Sequence, residues 1–192
     1  KALTRLDSIK ELSTLTSLEL RRCESLTNLD ALAELTALKT LTSINLYSCK
    51  SLTNIEGLAG LSNPISLNLS CCESLTNIDA LAGLTSLTSL DLSFCKALTS
   101  INGLAKLSNL MSLDLSHCKS LTNIDVLACL TSLTSLDLRG CETLTNIEAL
   151  RSLSYITALT TLDLSGCRKL TKLDGLTGFN AIVSLNLSGC SE

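Results

Sequence analysis

Ten cysteines, a single histidine and a run of evenly spaced aspartates are the residues of this 192-residue chain whose types could do chemistry. His117 and Cys118 are adjacent, with Asp114 three residues upstream, which raises a thiol nucleophile with an imidazole base. Such a pair must meet within hydrogen-bond reach. Cys118, however, is one of eight cysteines that recur at Cys23, Cys49, Cys72, Cys95, Cys118, Cys141, Cys167 and Cys190, a position expected to face inward, whereas His117 is expected to face outward. Neighbours aimed in opposite directions do not form a catalytic pair. Zinc-type spacing is absent as well: Cys71 and Cys72 are adjacent, and Cys129 lies far from any partner at ligand spacing. No catalytic residue, cofactor site or metal site is expected, and the chain is not expected to be an enzyme.

The aspartates Asp91, Asp114, Asp137 and Asp163 follow the same beat as the cysteines, in a row completed by Glu19, Asn45, Asn68 and Asn186. Like charges on adjacent strands repel by about 0.9 kcal/mol per pair in a water-like dielectric. One reading is a solvated row sharing hydrogen bonds with neighbouring hydroxyls. The other is a stripe for a cation or a basic partner. Calcium needs six to eight converging oxygens and a flat ladder offers few, so a basic partner suits the row better.

The elements that position these residues follow from the cysteine spacing. Successive gaps are 26, 23, 23, 23, 23, 26 and 23 residues. A fixed period of this size marks a solenoid, in which units too small to bury an apolar face alone stack on their neighbours. Within one unit, Leu90 and Leu92 alternate with Ser89, Asp91 and Ser93, the period of two of a half-buried strand. From Leu98 to Leu107 the apolar residues fall at every third position, which suits 3₁₀-like turns better than an α-helix. Two units carry three extra residues each, bringing Leu38 or Ile156 onto the return side. The eight ladder thiols are expected to be reduced and buried, while Cys71 and Cys129 fall off the ladder and are expected to be accessible.

The pattern Leu-x-x-Leu-x-Leu-x-x-Cys-x-x-Leu-Thr-x-Ile-x-x-Leu-Ala-x-Leu resembles the leucine-rich repeat superfamily from Leu3 to Cys190, with Cys in place of the usual Asn and a return similar to that of internalin-type repeats. The resemblance implies an α/β fold: a right-handed solenoid with a parallel sheet on its concave face and 3₁₀ or short helical returns on its convex face. It also implies binding of another macromolecule, most often a protein. Residues 1–192 are expected to form one array of eight strand-bearing repeats. Both ends fall in mid-repeat without a polar cap, which is expected of an excerpt from a longer protein.

Against this repetitive background one row varies strongly: Arg22, Ser48, Cys71, Phe94, His117, Gly140, Gly166 and Gly189, each just before a ladder cysteine. Such variation marks either a surface diverged for a partner or relaxed loop positions. Aromatic and arginine side chains dominate interface energetics, so Arg21, Arg22, Tyr47, Phe94, Met111, His117 and Arg139 are the candidate partner-binding residues, with Asp91, Asp114, Asp137 and Asp163 beside them. A net charge of −3 and four aromatics argue against nucleic acid, and no apolar run reaches the length of a membrane span. The expected function is a non-catalytic protein-binding module. Its rivals are a structural or adhesive array that stacks end to end through residues such as Leu3, Leu6, Leu185 and Leu187, and a targeting region attached to an enzyme outside this segment.

Overall fold

A computed structural model describes residues 3–7, 9, 12, 14–35, 40–154 and 159–190. Leu38 and Ile156 lie outside the described residues. Eight strands form one parallel sheet in chain order: β1 (Ser17–Glu19), β2 (Ser43–Asn45), β3 (Ser66–Asn68), β4 (Ser89–Asp91), β5 (Ser112–Asp114), β6 (Ser135–Asp137), β7 (Thr161–Asp163) and β8 (Ser184–Asn186). The pairing is in register, so Leu67 faces Leu90 and Leu113 faces Leu136. Each central residue is an Ile or Leu, and from β1 to β7 it is buried. Its two strand neighbours point to the opposite, concave face.

The returns are 3₁₀ segments, and no α-helix occurs among the described residues. Apolar residues three apart eclipse on a 3₁₀ turn, so Leu98, Ile101, Leu104 and Leu107 all enter the core. The Asn of most Thr-Asn pairs starts the return. Asn54 Oδ1 accepts the Glu56 N–H at 2.7 Å, and Asn123 Oδ1 accepts that of Asp125 at 2.6 Å. Close approach of the convex backbones is the reason for glycine at Gly57 and Gly103, where a Cβ would overlap the Leu29 and Ile78 carbonyl oxygens of the preceding unit.

The cysteine ladder joins unit to unit. Cys118 Sγ donates to the Leu92 carbonyl at 3.2 Å, and the same bond recurs from Cys49 to Leu20, Cys95 to Leu69, Cys141 to Leu115 and Cys167 to Leu138. A thiol is small and apolar enough for the core, yet carries one weak donor for a carbonyl that also accepts the turn N–H of its own unit. Burial raises the thiol pKa of Cys49 and Cys167 to about 11 and pushes Cys72, Cys95, Cys118 and Cys141 up further. All ten cysteines are free thiols. Two ladder members, Cys23 and Cys190, are only partly buried. Of the two off the ladder, Cys129 is exposed as expected, but Cys71 is half-buried, and burial followed by the Glu73 and Asp91 charges raises its pKa. It is therefore less accessible and less reactive than its place off the ladder suggests.

Candidate functional site: the concave face and its turn rim

After each strand the chain turns through two residues before the ladder cysteine. The Cys95 N–H bonds the Leu92 carbonyl at 3.2 Å, closing a four-residue β-turn whose third residue, Phe94, has φ of +58°. Positive φ at that position is the mark of a type II turn, which favours Gly. Arg22, Ser48, Cys71 and His117 share this conformation at φ of +59°, and Gly140, Gly166 and Gly189 occupy the same place at +64° to +72°. From Arg22 to Gly166 the N–H of each such residue also reaches the next unit: Phe94 N–H bonds Ser116 O at 2.7 Å and His117 N–H bonds Arg139 O at 2.6 Å. The backbone of the variable row is therefore held from both sides from Arg22 to Gly166. A left-handed conformation costs an L-residue roughly 1–2 kcal/mol. The first five units of the row carry that strain and the last three avoid it.

On this rim two aromatic rings meet. Phe94 and His117 stack with centroids 4.4 Å apart and planes 22° apart, and Phe94 remains 41% exposed. Gly140 makes room for the pair, because a Cβ there would collide with His117 Nδ1. At the N-terminal end of the same rim the Arg21 guanidinium lies over the Tyr47 ring, 5.5 Å from its centroid. Arg22 is exposed. His117 and Cys118 do diverge: the imidazole lies on Phe94 while the thiol is buried on the Leu92 carbonyl. Among the described residues, no group of three or more His, Cys, Asp or Glu side chains is arranged to hold a metal ion.

The acidic row has a structural duty. Asp91, Asp114, Asp137 and Asp163 each accept, through Oδ1, the N–H two residues on, at 2.8–3.0 Å. Asn45, Asn68 and Asn186 make the same bond at 2.9–3.1 Å. Asp and Asn are interchangeable for this Asx turn, so the turn itself does not require the negative charge that Asp adds in four successive units. Burial, ahead of the Asp137 and Asp91 charges, raises the Asp114 carboxyl pKa despite its Ser116 hydrogen bonds. For Asp163 burial again acts upward, but bonds from Ser165 and Asn186 together with the Arg139 charge leave it below its usual value. Arg139 folds back on its own strand and pairs with Asp137, Nη2 to Oδ2, at 2.7 Å.

The opposite rim, where the chain enters each strand, carries a feature that sequence reasoning half missed. Its row is mostly threonine, and Thr42, Thr88 and Thr134 donate Oγ1 to the carbonyl of the preceding unit. Met111 was an expected candidate, but Ile65 was not. Both are exposed, at 48% and 47%, and they flank Thr88 in a shallow depression of about 540 Å³ that also includes Ser86, Asn109 and Ser132. The signal was available, since Ile65 and Met111 are large apolar residues in a threonine row two units apart. Of the leucines expected on end faces, Leu3 and Leu185 are each 42% exposed and Leu187 is half-buried, but Leu6 is buried at 6%.

Comparison with known proteins agrees with this architecture. A family model described as leucine-rich repeat matches residues 83–100, 106–128 and 129–147. No curated protein matches the chain. Among solved structures, the internalin InlF from Listeria monocytogenes superposes with a TM-score of 0.78 at 25% identity, covering 98% of this chain and 52% of its own. The chain thus spans about half the length of that internalin. Internalin C2 from the same organism gives a TM-score of 0.56 at 21% identity, covering 90% of this chain and 80% of its own. TLR13, solved in complex with ssRNA13, gives 0.54 at 20%, covering 94% and 36%. These last two likenesses concern the fold alone. From the cysteine ladder, the in-register parallel sheet and these matches, the chain belongs to the leucine-rich repeat superfamily.

Proposed function

We propose that this chain is a non-catalytic module that binds a protein through the concave face of its sheet and the turn rim beside it. The observation that carries this reading is the strained aromatic pair. Phe94 and His117 hold positive φ at positions where Gly140 and Gly166 make the same turn and the same inter-unit bond without strain. Strain retained where the fold does not require it points to a use for the side chains. The candidates expected from sequence lie on the same surface. Arg21, Arg22, Tyr47, Phe94, His117 and Arg139 line one rim, Asp91, Asp114, Asp137 and Asp163 the adjacent strands, and Met111 the other rim. The acidic strands repel phosphate backbones, which favours a protein over a nucleic acid.

The test is selection of peptides from a randomised display library on the wild-type chain, with counter-selection on an F94G/H117G double variant that keeps the circular dichroism of the parent. Sequences that bind the wild type and are lost on the variant are expected. If every enriched sequence binds both chains equally, this rim is not the binding surface. Light scattering over a concentration series addresses the end-to-end array, which predicts growth with concentration that F94G/H117G leaves unchanged.

A further inference from the structure

The rim supplies arginine to its own aromatic and acidic groups in two places and omits it in a third. Arg21 covers Tyr47, and Arg139 neutralises Asp137. Between them the residues equivalent to Arg21 and Arg139 are Ser93 and Ser116, which offer no guanidinium to Phe94, Asp91 or Asp114. The nearest lysines outside the rim are engaged elsewhere: Lys96 pairs with Glu73 at 2.8 Å and Lys119 with Glu142 at 2.8 Å. Neither Asp91 nor Asp114 is in direct contact with a cation among the described ion pairs, and the Arg139 charge acts on Asp114 only from the neighbouring unit.

We propose that the Phe94–His117 ledge is a seat for an arginine side chain of a basic protein segment, with the guanidinium on the exposed Phe94 face and its N–H groups directed to the Asp91 and Asp114 carboxylates. This rests on the protein-binding reading above and specifies its partner. A planar guanidinium suits both halves of the seat, since it stacks on an aromatic face and pairs with a carboxylate through several donors. A lysine ammonium is a compact, strongly hydrated charge and uses the ring less well. The chain itself shows both contacts with its own arginines, Arg21 on Tyr47 toward the N-terminal end and Arg139 on Asp137 in the unit after Asp114. Gly140 keeps the ledge in place, because any side chain there would displace the His117 ring that stacks on Phe94. On the acidic side, the Oδ1 atoms are occupied by the Ser93 and Ser116 N–H groups, which fixes the carboxylates in position before a partner arrives.

The experiment is calorimetric titration of the chain with hexa-arginine and hexa-lysine peptides, followed in parallel by the His117 ring signals in NMR. Hexa-arginine is expected to bind about two- to five-fold tighter than hexa-lysine and to shift the His117 signals. In F94G the preference for arginine disappears, leaving equal residual affinities. In D91N/D114N both peptides weaken while the fold is retained, because Asn makes the same turn bond at three other places in the row. Equal affinities for the two peptides in the wild type, an arginine preference that survives F94G, or no binding of either overturns the proposal. Any of those results leaves the protein-binding reading intact if displayed peptides of other composition still require Phe94 and His117.

Discussion

Replacing Gly140 with Ala tests the geometry of the rim more sharply than replacing an aromatic, because it adds a single methyl group. Gly166 provides the reference. A Cβ on Gly166 would find its nearest atoms at 3.5 and 3.6 Å, ordinary contact, so Gly166→Ala pays mainly for a left-handed φ of +71°. That cost is roughly 1–2 kcal/mol, reduced by about 0.4–1 kcal/mol for the smaller entropy of the unfolded chain. Gly140→Ala carries the same backbone cost and in addition drives the new methyl into His117 Nδ1. The ring must leave Phe94, forfeiting a stacked pair of about 0.5–1.5 kcal/mol. Gly140→Ala is therefore expected to destabilise by about 0.5–1.5 kcal/mol more than Gly166→Ala. In a His117→Gly background the two alanine substitutions should cost the same. Equilibrium urea denaturation of the two parents and their four alanine variants closes the double-mutant cycles. If Gly140→Ala and Gly166→Ala cost the same in the wild type, the ring does not rest on Gly140 and the ledge is misplaced.

Three other outcomes follow from the ladder. Burial raises the folded thiol pKa from 9.0 to about 11 at Cys49 and Cys167, so this contribution to stability is complete below pH 9 and is lost as pH rises through 11. The unfolded chain loses these protons first, and each such thiol steepens the fall by up to about 1.4 kcal/mol per pH unit; denaturation midpoints that stay flat from pH 8 to 11 would contradict the burial. Cys118→Ala deletes a buried sulfur and its bond to the Leu92 carbonyl and should cost about 1–2 kcal/mol, read by thermal unfolding. With a maleimide reagent under native conditions, Cys129 should label fastest, Cys71 slowly and the six fully buried ladder thiols only in denaturant, as mass spectrometry of the digested chain will show.

Much of the fold could be read from the sequence because a solenoid writes its geometry as a period. The positions of Leu90 (Ile44 in one unit), Leu92 and Cys95 recur in every unit, so one unit read correctly places the others, and the in-register sheet follows. The 3₁₀ returns were legible from three-residue spacing for the same reason. Features that depend on the sign of a dihedral angle were not. Nothing in Phe94 or His117 themselves announces a left-handed turn, and only the glycines at Gly140, Gly166 and Gly189 hinted that the row demands one. Cys71 differs from its expectation on those grounds: it lies off the ladder, yet it sits in the same fixed turn, half-buried beside Glu73 and Asp91. The Asp row was legible as a row, but its Asx-turn bonds emerge only when the strand end is built. Ile65 escaped notice because its neighbours in the row are threonines, whose β-branched side chains suit the same backbone.

The central claim is that Phe94 and His117 are kept for binding at a cost to the turn they occupy. The most direct measurement takes one peptide selected on the wild-type chain and compares its affinity for wild type and for F94G/H117G, with urea midpoints recorded for the same two chains. Relief of two strained residues should offset the lost stacking to within about 1 kcal/mol, while affinity falls at least ten-fold. A double variant that is far less stable than wild type, or equally stable with its affinity unchanged, would contradict the account.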